Sequence, residues 1–231
     1  MTTACRTFLF GIAVALLFIA PSAFADTASM TLTGAGSNVM GGVYIGPYTG
    51  TINGVSTSVI CDDFAAESYI PEAWTANVST FAGGLTYVKF AGGTETQNYE
   101  EAAYLALELL AAPVNSKQAG QIQYALWDLF TPGALNGLSS TDAAAAQNDL
   151  TNAANNYSSY FSLNPGQLAE FTFYAPNTND AITCGNGPCA STPPQEFIVV
   201  NTPEPTTILM LGLGLAGLLF MGSRQRLSVS A

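Results

Sequence analysis

Tyr48-Thr49-Gly50-Thr51-Ile52-Asn53-Gly54-Val55-Ser56-Thr57-Ser58-Val59-Ile60 is the stretch that sets the fold class. Two β-branched runs, Tyr48 to Ile52 and Val55 to Ile60, flank a two-residue Asn53-Gly54. Asn-Gly between β-prone runs signals a tight hairpin, because both turn residues must adopt positive φ. Working back toward the N-terminus, residues 29 to 60 read as β, with Gly41-Gly42 and Gly46-Pro47 punctuating earlier strands. Working forward, Cys61 closes the second hairpin strand and Asp62-Asp63-Phe64 follows. Residues 75 to 90 read as two more strands around Gly83-Gly84.

Beyond residue 95 the periodicity changes. Asn98 to Leu110 has helical Ala and Leu spacing, with Pro113 as a stop. Ser116 suits an N-cap for a helix from Lys117 to Phe130, ended by Thr131-Pro132-Gly133. Ser140 or Thr141 caps a third helix, expected to run to about Asn155. Strands resume at Leu168 to Tyr174 and Glu196 to Val200, after a Pro- and Gly-rich loop over 176 to 195. The expected fold class is therefore α+β, a β-rich N-terminal part packed on a small helical unit.

Both ends have their own signatures. Arg6, an apolar run from Phe8 to Ala20 and Ala23-Phe24-Ala25 read as a signal peptide over 1–25, so the mature chain is expected to begin at Asp26. The extracellular domain is expected over 26–200. Residues 201–205 form a linker with Pro203-Glu204-Pro205, and 206–222 carry no charge. Seventeen helical residues span about 25 Å, close to a bilayer core, so 206–222 read as a transmembrane helix. Arg224 and Arg226 make 223–231 a basic tail held on the cytoplasmic side. Gly212-Leu213-Gly214-Leu215-Ala216-Gly217 has dinucleotide-loop spacing, but an apolar membrane segment is the wrong context for it.

These three C-terminal parts, in this order, resemble the PEP-CTERM sorting signal of diderm bacteria. The resemblance implies recognition by an exosortase-type transpeptidase at Pro203, Glu204, Pro205, Arg224 and Arg226. It implies a transient inner-membrane anchor with the body in the periplasm, then a cell-surface or extracellular-matrix destination.

Charge narrows the function. Between Asp26 and Pro205 two lysines face sixteen carboxylates, a formal charge of −14. Nucleic acid and anionic membrane surfaces are therefore poor partners. The chain holds no histidine, so the commonest general base and metal ligand are missing. No metal site, no cofactor and no enzymatic activity are expected. Asp62-Asp63 with Glu67 reads as a solvated turn, and Glu100-Glu101 and Glu108 as the wet face of a helix.

Three cysteines remain after the signal peptide: Cys61, Cys184 and Cys189. Cys184 and Cys189 bracket Gly-Asn-Gly-Pro and suit a local disulfide in an oxidising compartment. Cys61 is then left over. In the second helix Gln123 shares an apolar stripe with Ala119, Leu126, Trp127 and Phe130. A buried amide without partners costs about 1–3 kcal/mol, so something must satisfy it. Hydrogen bonds would do so. So would reaction with a cysteine thiolate, expelling ammonia and leaving a thioester.

Val59-Ile60-Cys61-Asp62 and Ile122-Gln123-Tyr124-Ala125-Leu126-Trp127 resemble the thioester domains of bacterial surface adhesins. Over roughly Thr49 to Phe130, the resemblance implies a Cys61–Gln123 bond that captures a nucleophile, such as a surface amine or polysaccharide target. Ile60 departs from the aromatic or leucine usual there. The expected function is a sorted surface or matrix protein, either a covalent adhesin or a non-reactive structural, exopolysaccharide-associated protein.

Overall fold

The computed structural model describes residues 27–92, 95–177, 182–185 and 193–201. The expected signal peptide, Cys189, the sorting signal with Pro203, Glu204, Pro205, Arg224 and Arg226, and the expected transmembrane segment lie outside these residues. Among the described residues no helix is long and apolar enough to cross a membrane.

In chain order the strands begin with β1 (Thr27–Gly34), β2 (Val39–Met40), β3 (Val43–Tyr44), β4 (Tyr48–Ile52), β5 (Val55–Cys61) and β6 (Glu72–Ser79). Three helices follow: α1 (Glu95–Ala111), α2 (Lys117–Phe130) and α3 (Ser140–Leu163). The chain returns through β7 (Phe171–Pro176), β8 (Thr183–Cys184) and β9 (Phe197–Val200). The architecture is α+β, as its sequence pattern implies.

Six strands pair in the order β1-β4-β5-β9-β7-β6, and β6 pairs back onto β1, so the sheet closes into an antiparallel barrel. Closure leaves no free edge around this ring. The β4–β5 hairpin turns at Asn53 (φ 50°) and Gly54 (φ 81°), the two positive dihedrals of a type I′ turn. Asn53 also ties the turn to β1, its side-chain oxygen accepting from Ser29 N–H at 3.0 Å.

Side-chain alternation gives each strand two faces. Ala28, Met30 and Leu32 of β1 are buried, and Met30 stands opposite Trp74 of β6 and Ile52 of β4. Val59 lies opposite Tyr48, and Cys61 opposite Phe197. The Phe197 ring meets Trp74 at 5.9 Å and Tyr48 at 6.2 Å, so these side chains share the barrel interior. Ile60, Ile198 and Phe173 form the alternate register, and Phe173 packs edge-on to Tyr99 of α1 at 4.8 Å. Phe161 of α3 likewise meets Phe171. The helices therefore cover the outer face of β5, β9 and β7, which explains why β7 is buried along its whole length.

Residues 80–90, expected as strand, are turns instead. Thr80 accepts at its carbonyl from both Gly83 N–H and Leu85 N–H. The β run ends at Ser79 because Ser79 Oγ turns to accept from Tyr87 N–H at 2.9 Å. Helix α3 is capped one residue earlier than expected, by Ser139, and runs on to Leu163 because Ala153 and Phe161 still bury against the core. Helix α2 has the expected bounds, and Ser116 Oγ accepts from Ala119 N–H at 3.0 Å.

Candidate functional site

The site lies where β5 leaves the barrel and α2 crosses its rim. Cys61 ends β5, is wholly buried and is a free thiol. Its sulfur accepts from Asp63 N–H at 3.4 Å and lies 3.3 Å from the Asp63 carbonyl, to which the thiol donates. Gln123 occupies the middle of α2 with no exposed surface. Its Nε2 donates to the Cys61 carbonyl at 2.6 Å, so the two expected site residues meet across the rim.

The other half of the amide is unsatisfied. Gln123 Oε1 is buried with no hydrogen-bond partner. Gly46 lets backbone come close to it: a Cβ there would stand 2.7 Å from Oε1 and 3.1 Å from the Tyr48 ring. One turn on from Gln123, the Trp127 indole N–H is also buried without a partner of good geometry. Phe64 closes the site, its ring 5.1 Å from Trp127 and 5.9 Å from Tyr124. Burial pushes the Cys61 thiol well up, opposed by the hydrogen bond from Asp63 N–H. The thiol is thus neutral in the resting site.

The Asp62-Asp63 turn is not solvated. Both carboxylates are fully buried, as is Glu196. Local and distant partners combine: Asp63 Oδ1 accepts from Ala65 and Ala66 N–H, and Asp63 Oδ2 pairs with Lys89. Gln195 Nε2 donates to the Asp63 carbonyl at 2.7 Å. Glu196 accepts from the Tyr99 hydroxyl and, at 2.7 Å, from Lys89 N–H. Burial raises the Asp62 carboxyl far above its ordinary range, and the Glu196 charge raises it further. Burial also raises Glu196, but the Tyr99 hydroxyl and Lys89 N–H hold it down. Burial therefore disfavours ionisation of both carboxyls, and Asp62, whose oxygens have no hydrogen-bond partner among the described residues, lacks the donors that hold Glu196 down.

Glu101 departs from the wet-face expectation as well, being buried with its Oε1 accepting from Gln97 Nε2 at 2.8 Å. Glu108 is exposed. Trp74 and Trp127 are core residues.

Cys184 is disulfide-bonded in β8, which pairs with β6 outside the barrel ring. Cys189, its expected partner, lies outside the described residues. Among the described residues there is no group of three His, Cys, Asp or Glu side chains suited to a metal.

Sequence reasoning found Cys61 and Gln123 but missed Lys89, Tyr99 and Glu196. No local signal marks these three, because pairing of β5 with β9 is what brings Glu196 beside Asp62.

A closed barrel with a helical cover and a buried cysteine against a buried glutamine defines an α+β domain with one concentrated polar site. The model of the PEP-CTERM protein-sorting motif matches residues 201–225, directly after this domain. The chain thus carries a PEP-CTERM motif, a signal that suggests an exported protein sorted by exosortase. Comparison with curated proteins and with solved structures finds no match.

Proposed function

We propose that this chain is a cell-surface or matrix protein that binds its target covalently through a thioester between Cys61 and Gln123. The observation that carries the reading is the contact itself, a buried free cysteine whose backbone carbonyl accepts a hydrogen bond from the carboxamide of Gln123. The Cys61 sulfur would add to Gln123 Cδ, the C–N bond would break, and the thiol proton would leave with ammonia. The product is an acyl thioester in a site with no exposed surface, where water is excluded. An incoming amine would attack the same carbon, form an amide and return the proton to sulfur. The protein would turn over nothing, so it is a single-use binder and not an enzyme.

The hydrogen bond to the Cys61 carbonyl also supports a second reading. It satisfies half of the amide without any bond, as expected of a non-reactive structural or exopolysaccharide-associated matrix protein. Incubation of the folded protein with methylamine separates the two. The thioester reading predicts one methylamine on Gln123 and a newly alkylatable Cys61. Absence of uptake, with Cys61 still a thiol after denaturation, would leave the structural reading.

Sorting would anchor the chain transiently in the inner membrane through 206–222, with cleavage near Pro205 by an exosortase-type transpeptidase. Peptide mapping of envelope and extracellular fractions checks this. The Arg224 and Arg226 tail should be missing from mature protein, and its presence throughout would refute the cleavage.

A further inference from the structure

A cleft of about 530 Å³ opens beside the Cys61–Gln123 contact. Tyr44, Tyr48, Phe64, Glu67, Tyr69 and Trp127 are among its lining residues. Its inner wall and the site share side chains: Trp127 is one helical turn from Gln123, Tyr48 stands beside Gly46, and Phe64 follows Cys61-Asp62-Asp63. Its mouth carries exposed aromatic surface, with Tyr44 56% and Tyr69 41% exposed. The cleft therefore ends against the side chains that enclose Gln123, whose buried carboxamide oxygen has no partner among the described residues.

We propose that this cleft binds an amino sugar of a polysaccharide and presents its free amine to Gln123. This deepens the thioester reading and rests on it for the covalent step only. Three features select the ligand. Exposed tyrosine faces at the mouth offer flat apolar surfaces that match the C–H faces of a pyranose ring, and the buried Tyr48 and Trp127 back the cleft from inside. The same rings attract a cation held over them. Glu67 is the charged residue lining the cleft among the described residues, and the body around it carries a formal charge of −14. A cationic ligand is favoured and an acidic sugar is disfavoured. The volume lies within the range of pockets that enclose ring-sized ligands, whereas a single lysine side chain would leave most of it empty.

In the covalent step the neutral sugar amine attacks Gln123 Cδ. The C–S bond breaks, an amide forms, and the amine proton passes to the Cys61 sulfur. No oxidant or co-reactant is needed.

Two measurements on the full chain in detergent test this. The first uses Cys61→Ala, which cannot form the bond, and titrates a glucosamine oligosaccharide, its N-acetylated counterpart and a lysine-containing peptide. The glucosamine oligomer should bind tightest, and Glu67→Gln and Tyr69→Ala should each weaken it ~2–5-fold, the range for one exposed cation–aromatic contact. Equal binding of the N-acetylated oligomer or the lysine peptide overturns the proposal, as does indifference to both substitutions. The second offers glucosamine oligomer and methylamine to the unaltered protein and reads adduct mass. A glucosamine adduct forming faster than the methylamine adduct supports the proposal. Methylamine uptake without oligomer binding overturns it while leaving the thioester reading intact. Oligomer binding with no adduct from either amine supports the sugar site and refutes the thioester.

Discussion

Inside the barrel, Met30, Val59, Trp74 and Phe197 meet almost without polar atoms. At its rim the same strands deliver Cys61, Asp62, Asp63 and Glu196 to Gln123, all with no exposed surface. The two regions share β5 and β9, so backbone pairing does not distinguish them. The interior gains from apolar burial, about 25 cal/mol per Å². The rim holds groups whose burial is unfavourable unless paired, and leaves both Asp62 oxygens, Gln123 Oε1 and Trp127 Nε1 without hydrogen-bond partners among the described residues, where the interior leaves Trp74 Nε1. Stability comes from the first region. The second has a composition that stability alone does not require, which is why function is placed there.

The contrast breaks most visibly through the interior. Phe197→Ala empties a fully buried ring that packs on both Trp74 and Tyr48, and should cost ~3–5 kcal/mol. Chemical denaturation measures it, and a loss under about 1 kcal/mol would contradict the tight interior.

Away from both regions, removing the Cys184 disulfide should cost somewhat less than ~3 kcal/mol, because the expected partner Cys189 closes so short a loop. The β8 segment should loosen while the barrel persists. Amide exchange reads the difference, and collapse of barrel protection would show that the bridge holds the fold.

The rim should show itself through pH. Asp62 has a raised pKa in the folded protein, so the native state holds a proton that the unfolded chain releases near pH 4. Stability should therefore fall as pH rises above that value toward the folded pKa. Asp62→Asn keeps the neutral shape and removes this dependence, leaving the variant relatively more stable at pH 8 than at pH 5. An unchanged pH profile of unfolding would show that Asp62 is already ionised in the native state.

The smallest effect is the most informative. Cys61→Ala removes one sulfur that behaves as a small apolar group, and should cost no more than about 1 kcal/mol. A much larger loss would mean that Cys61 is structural. A small one sharpens the assignment of the rim to chemistry.

Much of this was legible in the sequence. Asn53-Gly54 announced the hairpin, and Ser116 with Thr131-Pro132-Gly133 fixed the bounds of α2, because caps and turns are local chemistry. Cys61 and Gln123 were legible as a leftover thiol and a misplaced amide. Closure of the barrel was not, since β1–β6 pairing depends on contacts some forty-five residues apart, such as Ser29 with Thr75. The burial of Asp62 and Asp63 was hidden for the same reason. An Asp-Asp pair after a strand reads as a turn in water until Lys89, Tyr99 and Glu196 arrive from distant segments to enclose it.

The intact mass of the exported protein tests the central claim most directly. The thioester account predicts a chain lighter than its sequence by one ammonia, once signal processing and the disulfide are allowed for, and restored to full mass by Gln123→Ala after correcting for the substitution. A mass equal to the sequence, with Cys61 alkylated stoichiometrically after denaturation, would contradict it.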